Sequence, residues 1–215
     1  MRLEGKRIVV TGASRGIGRS LTRQLTDRGA TVLAVAREVE GIVQDMGPMV
    51  QGFACDLADP AARADLIRSL GDAGPGDERI NNAAIQIETD YLSGDPVGYA
   101  RDLALEIEIN LVSPLALSIA LLPQLARRSE AAIVNVTSAL ALAPKQDAPV
   151  YCATKAGLRS FTAGLRYQTE GAAPHVTVTE VVMALVDTDM TRGRGHGKIS
   201  PEQAASEIIA GLSRG

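Results

Sequence analysis

KRIVVTGASRGIG, residues 6–18, couples a short apolar run to a glycine-rich turn. The run at 6–11 suits a buried parallel strand. It enters Gly12-Ala13-Ser14-Arg15-Gly16-Ile17-Gly18 and then the helix-like RSLTRQLTDRG. Strand, turn and helix in that order form a cradle for a diphosphate. The glycines allow a tight turn and close backbone approach, and the helix amino terminus offers unpaired N–H groups with partial positive charge. The spacing is T-G-x-x-x-G-x-G, which differs from the G-x-G-x-x-G of the common dinucleotide fingerprint. A loop that merely turns the chain would not need to sit between the first strand and first helix of an alternating series.

That series continues along the chain. Strands are expected at Thr31–Ala36, Val50–Ala54, 79–81, 132–137 and 176–182. Helices are expected over 59–70, over 96–122 with Leu103, Ile107 and Leu111 on one side, and over 150–170. Ser200-Pro201-Glu202-Gln203 reads as a capping box opening a last helix. The alternation of strand and helix implies an α/β, doubly wound Rossmann-type parallel sheet covered on both faces. No repeat or linker divides it, so 1–215 is expected to be one nucleotide-binding domain.

Composition narrows the function classes. The 215 residues are 46% hydrophobic, enough for a substantial core, with only four tyrosines, two phenylalanines and no tryptophan in it. A formal net charge of −3 and the lack of a long basic block argue against nucleic acid as partner. Cys55 and Cys152 make neither a metal-ligand spacing nor a disulfide framework, and read as small buried residues in a reducing, cytoplasmic compartment. The amino terminus runs straight into the first strand, without signal-peptide architecture. The most apolar segment, 111–126, is interrupted by Pro114 and Pro123 and reads as a buried helix, not a membrane span.

Chemistry concentrates at PVYCATKAGLRSFTAGL. Tyr151 and Lys155 are four residues apart, so they share a helix face and can point into one cleft. A neighbouring cation favours phenolate and would bring the phenol closer to working pH, which makes it a more effective acid or base. A serine, Ser138, ends the preceding strand-like run AAIVNVTS.

T-G-x-x-x-G-x-G, Asn81-Asn82-Ala83-Ala84, Asn110, Ser138 and Tyr151-x-x-x-Lys155, in that order, resemble the short-chain dehydrogenase/reductase family over nearly the whole chain. The stretches NNAAIQ, EIEINLVSPLAL, SFTAGLRYQ and VDTDM are similar to its bacterial DltE-like branch. The resemblance implies carbonyl–alcohol interconversion with a small or medium substrate. Tyr151 would be the proton donor or base, and Lys155 would hold charge beside it and bond the nicotinamide ribose. Ser138 would polarise the carbonyl, and Asn110 would anchor a water leading from the lysine. It further implies cofactor-binding roles for Thr11, Gly12, Ser14, Arg15, Gly16, Ile17, Gly18, Asp56, Leu57, Asn82, Ala83 and Thr188, with Asp56 at the adenine amino group, Asn82 under the adenosine ribose and Thr188 at the carboxamide. Helices around Asn110 and Tyr151 commonly pair in this family, implying a homodimer or homotetramer.

Cofactor choice depends on the end of the second strand. An acidic residue there would accept the ribose hydroxyls of NAD, but the chain has Ala36-Arg37, with Arg15 in the glycine turn. Two guanidinium groups favour the additional phosphate of NADP(H), although Glu38 could pair with Arg37. Three departures from the family pattern stand out. Glu78 and Arg79 occupy a central strand where apolar residues are usual, at a cost unless they pair or the strand begins late. Ala84 replaces a glycine, and Met183-Ala184 replaces a proline-containing pair near the nicotinamide. The segment 191–198 falls at the substrate lid, and its basic side chains could attract an anion or simply be solvated. The unusual fourth strand leaves a second possibility open, a cofactor-binding sensor without turnover.

Overall fold

A computed structural model describes residues 2–93 and 95–214. Six parallel strands run in the order β3-β2-β1-β4-β5-β6, where β1 is Arg7–Thr11, β2 Thr31–Ala36, β3 Val50–Ala54, β4 Glu78–Asn81, β5 Ala131–Ser138 and β6 Val176–Met183. The helices are α1 (Gly16–Thr26), α2 (Glu40–Met46), α3 (Pro60–Asp72), α4 (Pro96–Ile107), α5 (Ser113–Leu125), α6 (Pro149–Ala172) and α7 (Pro201–Arg214). This is the expected doubly wound sheet. Its order reverses between β1 and β4, so a crevice opens there at the carboxyl ends of the strands.

Successive side chains of β1 leave on opposite faces, and both faces are buried. Ile8 and Val10 join Leu21 and Leu25 of α1 and Ile208 and Leu212 of α7. Val9 joins Leu66 and Leu70 of α3 and Leu117 and Leu121 of α5. Under α5 and α6 a third cluster packs Ile133, Val176 and Val178 against Leu125 and Leu165.

Four local features depart from the sequence reading. Helix α2 was not foreseen; it is seven residues long and buries only Ile42. The helix expected over 96–122 is two helices joined by a wide π turn at Glu108–Val112, in which Ser113 N–H bonds the Glu108 carbonyl five residues back. That wide register precedes Pro114, which has no N–H to give. The run Pro96–Leu125 is long and apolar enough to cross a membrane, but Leu117, Leu121 and Leu125 are buried in the sheet's own core. The capping box forms by half: Ser200 Oγ accepts the Gln203 N–H, while Gln203 Nε2 donates to Glu207.

The fourth strand is the largest departure. It begins at Glu78, not 79, and both charged residues are buried, at 0% and 1% exposure. They do not pair with each other. Arg79 Nε donates to Asn81 Oδ1 at 2.7 Å, and neither Glu78 carboxyl oxygen has a hydrogen-bond partner among the described residues. Burial pushes Glu78 up to about 7 and Arg79 down to about 9.

Candidate active site and cofactor groove

Two cavities meet at the carboxyl ends of the strands. One, of 290 Å³, lies over the glycine turn, and its wall includes Gly12, Ser14, Arg15, Gly16, Ile17, Arg37, Asp56, Leu57, Asn82, Ala83 and Thr188. The other, of 350 Å³, is lined by Ser138, Tyr151 and Lys155. Ile17, Asn82, Ala84, Thr188 and Met190 belong to both, so the two form one groove.

The glycine turn fits a diphosphate. Gly12 and Gly16 have φ of +69° and +52°, in the left-handed region that favours glycine. A Cβ on Gly18 would lie 2.0 Å from the Gly12 carbonyl oxygen, so only glycine lets α1 start this close to β1. The α1 N-cap, Arg15, makes no side-chain cap bond, and no acidic residue occupies the first turn, which leaves amide N–H groups facing the groove. Arg15 and Arg37 are exposed on its wall and make no ion pair among the described residues. The expected competition from Glu38 is therefore not made.

Two of the residues read as cofactor-binding lie behind the wall. Thr11 is 2% exposed, and its Oγ1 accepts the N–H groups of Asn82 and Ala83 at 3.0 and 3.1 Å. It fixes the loop after β4 to the end of β1. Gly18 is buried under the Gly12 carbonyl. Asn82 does both jobs: its Nδ2 donates to the Thr11 carbonyl at 3.0 Å, and it borders both cavities. Cys55 is buried at the edge of the groove, and burial pushes its thiol up to about 11, so it stays a neutral, unreactive side chain.

At the other end, Tyr151 and Lys155 stand one turn apart on α6, 7% and 2% exposed. The ammonium lies 5.7 Å from the phenol ring centroid and donates to the Val136 carbonyl at 2.8 Å. Burial pushes Tyr151 up to about 12, against a hydrogen bond with Ser138 that favours phenolate. The expected acidification by the lysine is thus not what dominates here: desolvation does, and it also brings Lys155 down to about 8. Ser138 ends β5 and caps the short turn Ala139–Ala141, its Oγ accepting the Leu140 N–H at 3.1 Å.

Asn110 is fully buried in the π turn and outside both cavity walls. Its side chain exchanges hydrogen bonds with the backbone of Ile85, at 2.9 and 2.8 Å, and donates to Thr154 at 3.3 Å. The residue ties the loop after β4 to the helix carrying Tyr151. Thr188 caps the turn Asp189–Thr191, and a Cβ on Gly16 would lie 3.2 Å from its methyl group, so this loop sits directly over the start of α1.

Sequence reading missed Gln86, Leu140 and Lys145 on the wall of the cavity that holds Tyr151 and Lys155. It also missed Glu88, which accepts hydrogen bonds from both Lys145 and Arg194 and so links the rim of that cavity to the 191–198 segment. Glu106 is buried, accepts the Ile87 N–H at 3.1 Å and is raised by burial. No local pattern marks these residues; they meet only because the loops after β4, β5 and β6 converge, with Glu106 of α4 holding the first of them at Ile87.

Known proteins agree with this geometry. The family model for short chain dehydrogenases matches residues 6–198. The uncharacterized oxidoreductase DltE of Bacillus subtilis is 34% identical over 224 residues, covering all of this chain and 87% of that protein. L-xylulose reductase of Bos taurus is 32% identical, covering 97% of this chain and 82% of its own. A short chain dehydrogenase of Burkholderia cenocepacia, solved in complex with NADP, superposes with a TM-score of 0.87 at 30% identity, over all of this chain and 87% of that one. With the strand order, the glycine cradle and the tyrosine–lysine pair in place, the chain belongs to the short-chain dehydrogenase family of NAD(P)-dependent oxidoreductases.

Proposed function

We propose that the protein interconverts a carbonyl and an alcohol with NADP(H), as one domain spanning 1–215 and with Tyr151 as its general acid and base. The observation that carries this reading is the burial of Tyr151 and Lys155 side by side, next to Ser138, in the cavity that continues into the glycine cradle. When bound, the nicotinamide supplies or accepts the hydride. Ser138 and Tyr151 are the hydrogen-bond donors for a substrate oxygen on which negative charge develops. The phenol, held near 12, keeps its proton at neutral pH and is set to give it to that oxygen. Lys155 keeps positive charge within reach of the phenol, held in place by the Val136 carbonyl.

The α1 amino terminus with Gly12, Ser14, Gly16 and Ile17 would hold the diphosphate. Asp56, Leu57, Asn82 and Ala83 would hold the adenosine half, and Thr188 the carboxamide. Arg15 and Arg37, exposed and without a carboxylate partner among the described residues, support a 2′-phosphate and hence NADP(H) over NAD(H). The NADP complex of the Burkholderia relative supports the same choice. Thr11, Gly18 and Asn110 act by positioning these groups. The substrate is a small or medium carbonyl compound, given a 350 Å³ cavity that would have to admit the nicotinamide end as well. Free, buried Cys55 and Cys152 support a cytoplasmic protein. Exposed Val97, Ile119 and Tyr167 on α4, α5 and α6 support a homodimer or homotetramer.

An aldehyde and ketone panel with NADPH, followed at the reduced-nicotinamide absorbance band, tests the reading. Turnover is expected with at least one class, and Tyr151→Phe is expected to abolish it while NADPH still binds. NADPH binding without turnover on any compound would favour a sensor of the cofactor pool.

A further inference from the structure

The cavity that holds Tyr151 and Lys155 has a polar group on its wall that the oxidoreductase reading leaves without a task. Gln86 is half-buried there, and its side-chain amide makes no hydrogen bond among the described residues. The uncharged polar side chains around it, outside Ser138 and Tyr151, are engaged. Asn82 Nδ2 donates to the Thr11 carbonyl, Thr137 Oγ1 to Glu180 and Thr191 Oγ1 to the Val186 carbonyl, while Thr188 caps the turn that follows it. The backbone on either side of Gln86 is fixed. Asn110 bonds both the N–H and the carbonyl of Ile85, and Glu106 accepts the Ile87 N–H at 3.1 Å. Both holders are buried, at 0% and 1% exposure. An amide carried on anchored backbone has only its side-chain rotamers left to order when it binds.

The charges at the same mouth are balanced. Lys145 pairs with Glu88 and, at 3.3 Å, with Asp147, and Arg194 pairs with Glu88, so two cations meet two carboxylates. A substrate carboxylate would have to compete with those pairs. An amide offers an acceptor oxygen and two N–H donors, and a hydroxyl both donates and accepts, so the two are complementary. Elsewhere on the wall Leu140, Met183, Leu185, Val186 and Met190 give apolar surface for a short carbon chain. The cavity measures 350 Å³ and would have to admit the nicotinamide end too, which leaves only a few carbons between a second polar group and the carbonyl. Resting on the carbonyl–alcohol reading, we propose that Gln86 is a specificity-determining residue that hydrogen-bonds a hydroxyl of the substrate. The substrate class is then a small hydroxyketone, or the matching diol in the reverse direction.

The test compares four-carbon ketones with NADPH: 1-hydroxy-2-butanone, 4-hydroxy-2-butanone, 2-butanone and 2-oxobutanoate. A site that bonds a hydroxyl discriminates against the compound lacking it, and for a half-buried amide about tenfold is expected. The ratio of kcat/KM for the better hydroxyketone to that for 2-butanone is therefore expected to fall about tenfold in Gln86→Met, which keeps the length without the amide. The same ratio in both proteins would overturn the assignment. So would an equal or larger fall for 2-oxobutanoate relative to 2-butanone, which would mark a site for an anion. Absence of turnover on all four compounds would count against the oxidoreductase reading, and binding to the wild type then decides the role of Gln86, as it does if the variant fails to fold. In NMR titrations of the NADP-loaded protein, 1,2-butanediol or 1,3-butanediol is expected to bind about tenfold more tightly than 2-butanol. Equal affinities would overturn the proposal.

Discussion

Lys155 is a full positive charge held 2% exposed against the Val136 carbonyl, and burial lowers its pKa from the usual lysine range to about 8. Tyr151, near 12, keeps its proton throughout the same range, so the first titration expected at the site as pH rises from neutrality is that of the lysine. Above about 8 the cation beside the phenol is lost. Reductive kcat/KM with NADPH is therefore expected to be level below about pH 8 and to fall roughly tenfold per unit well above it. A profile level to pH 10 would show that the lysine charge is dispensable. Stability runs in the opposite sense. Between about 8 and 10.5 the folded state binds fewer protons than the unfolded state, so this lysine's burden on stability is greatest below 8 and eases as pH rises. Lys155→Met is thus expected to raise the thermal midpoint at pH 7 while abolishing turnover, the exchange of stability for function common at active sites.

Strand β4 shows where sequence reading of an element stops. ERIN was legible as a strand but not as one starting at Glu78, because its position is set by pairing with β1 and β5: Ile8 lies in register with Glu78, and Glu78 with Ala132. Flanking strands impose burial that the residues themselves would not choose. The seven-residue α2 was invisible for a related reason, since one buried residue, Ile42, makes no periodic stripe. The Glu78 carboxyl, raised by desolvation to about 7, makes β4 a sensor of pH in stability. Between 4.5 and about 7 the folded state holds a proton that the unfolded state releases, so stability associated with this group is full below 4.5 and is lost as pH rises through 7. The loss is about 3 kcal/mol. Glu78→Gln keeps the shape and cannot ionise. Its stability advantage over wild type, from urea denaturation at several pH values, is expected to grow from pH 4.5 to 7 and then stay constant. A constant difference across that window would show that Glu78 finds a partner or water.

Across the whole molecule, the groove was legible wherever one residue answers a demand of backbone or charge. Gly12, Gly16 and Gly18 are dictated by the turn, and Tyr151 with Lys155 by one face of one helix. Gln86, Lys145 and Glu88 were not, because their meeting depends on how the loops after β4, β5 and β6 converge. Cofactor preference belongs to this scale too, since it joins the α1 turn to the end of β2. Arg15 and Arg37 border the same cavity as Asp56 and make no ion pair among the described residues, so a 2′-phosphate entering there would meet two guanidinium groups. A ligand that binds only the folded state at about 100 times its Kd stabilises by roughly 2.7 kcal/mol, which for a chain of this size is about 5–10 °C in midpoint. NADP is expected to produce such a rise at concentrations where NAD produces little. Arg37→Asp is expected to reverse the order, because a carboxylate repels the phosphate and accepts the free ribose hydroxyls. Equal shifts with the two nucleotides before and after the substitution would remove Arg37 from cofactor selection and leave the glycine cradle, which would hold only the diphosphate that the two share.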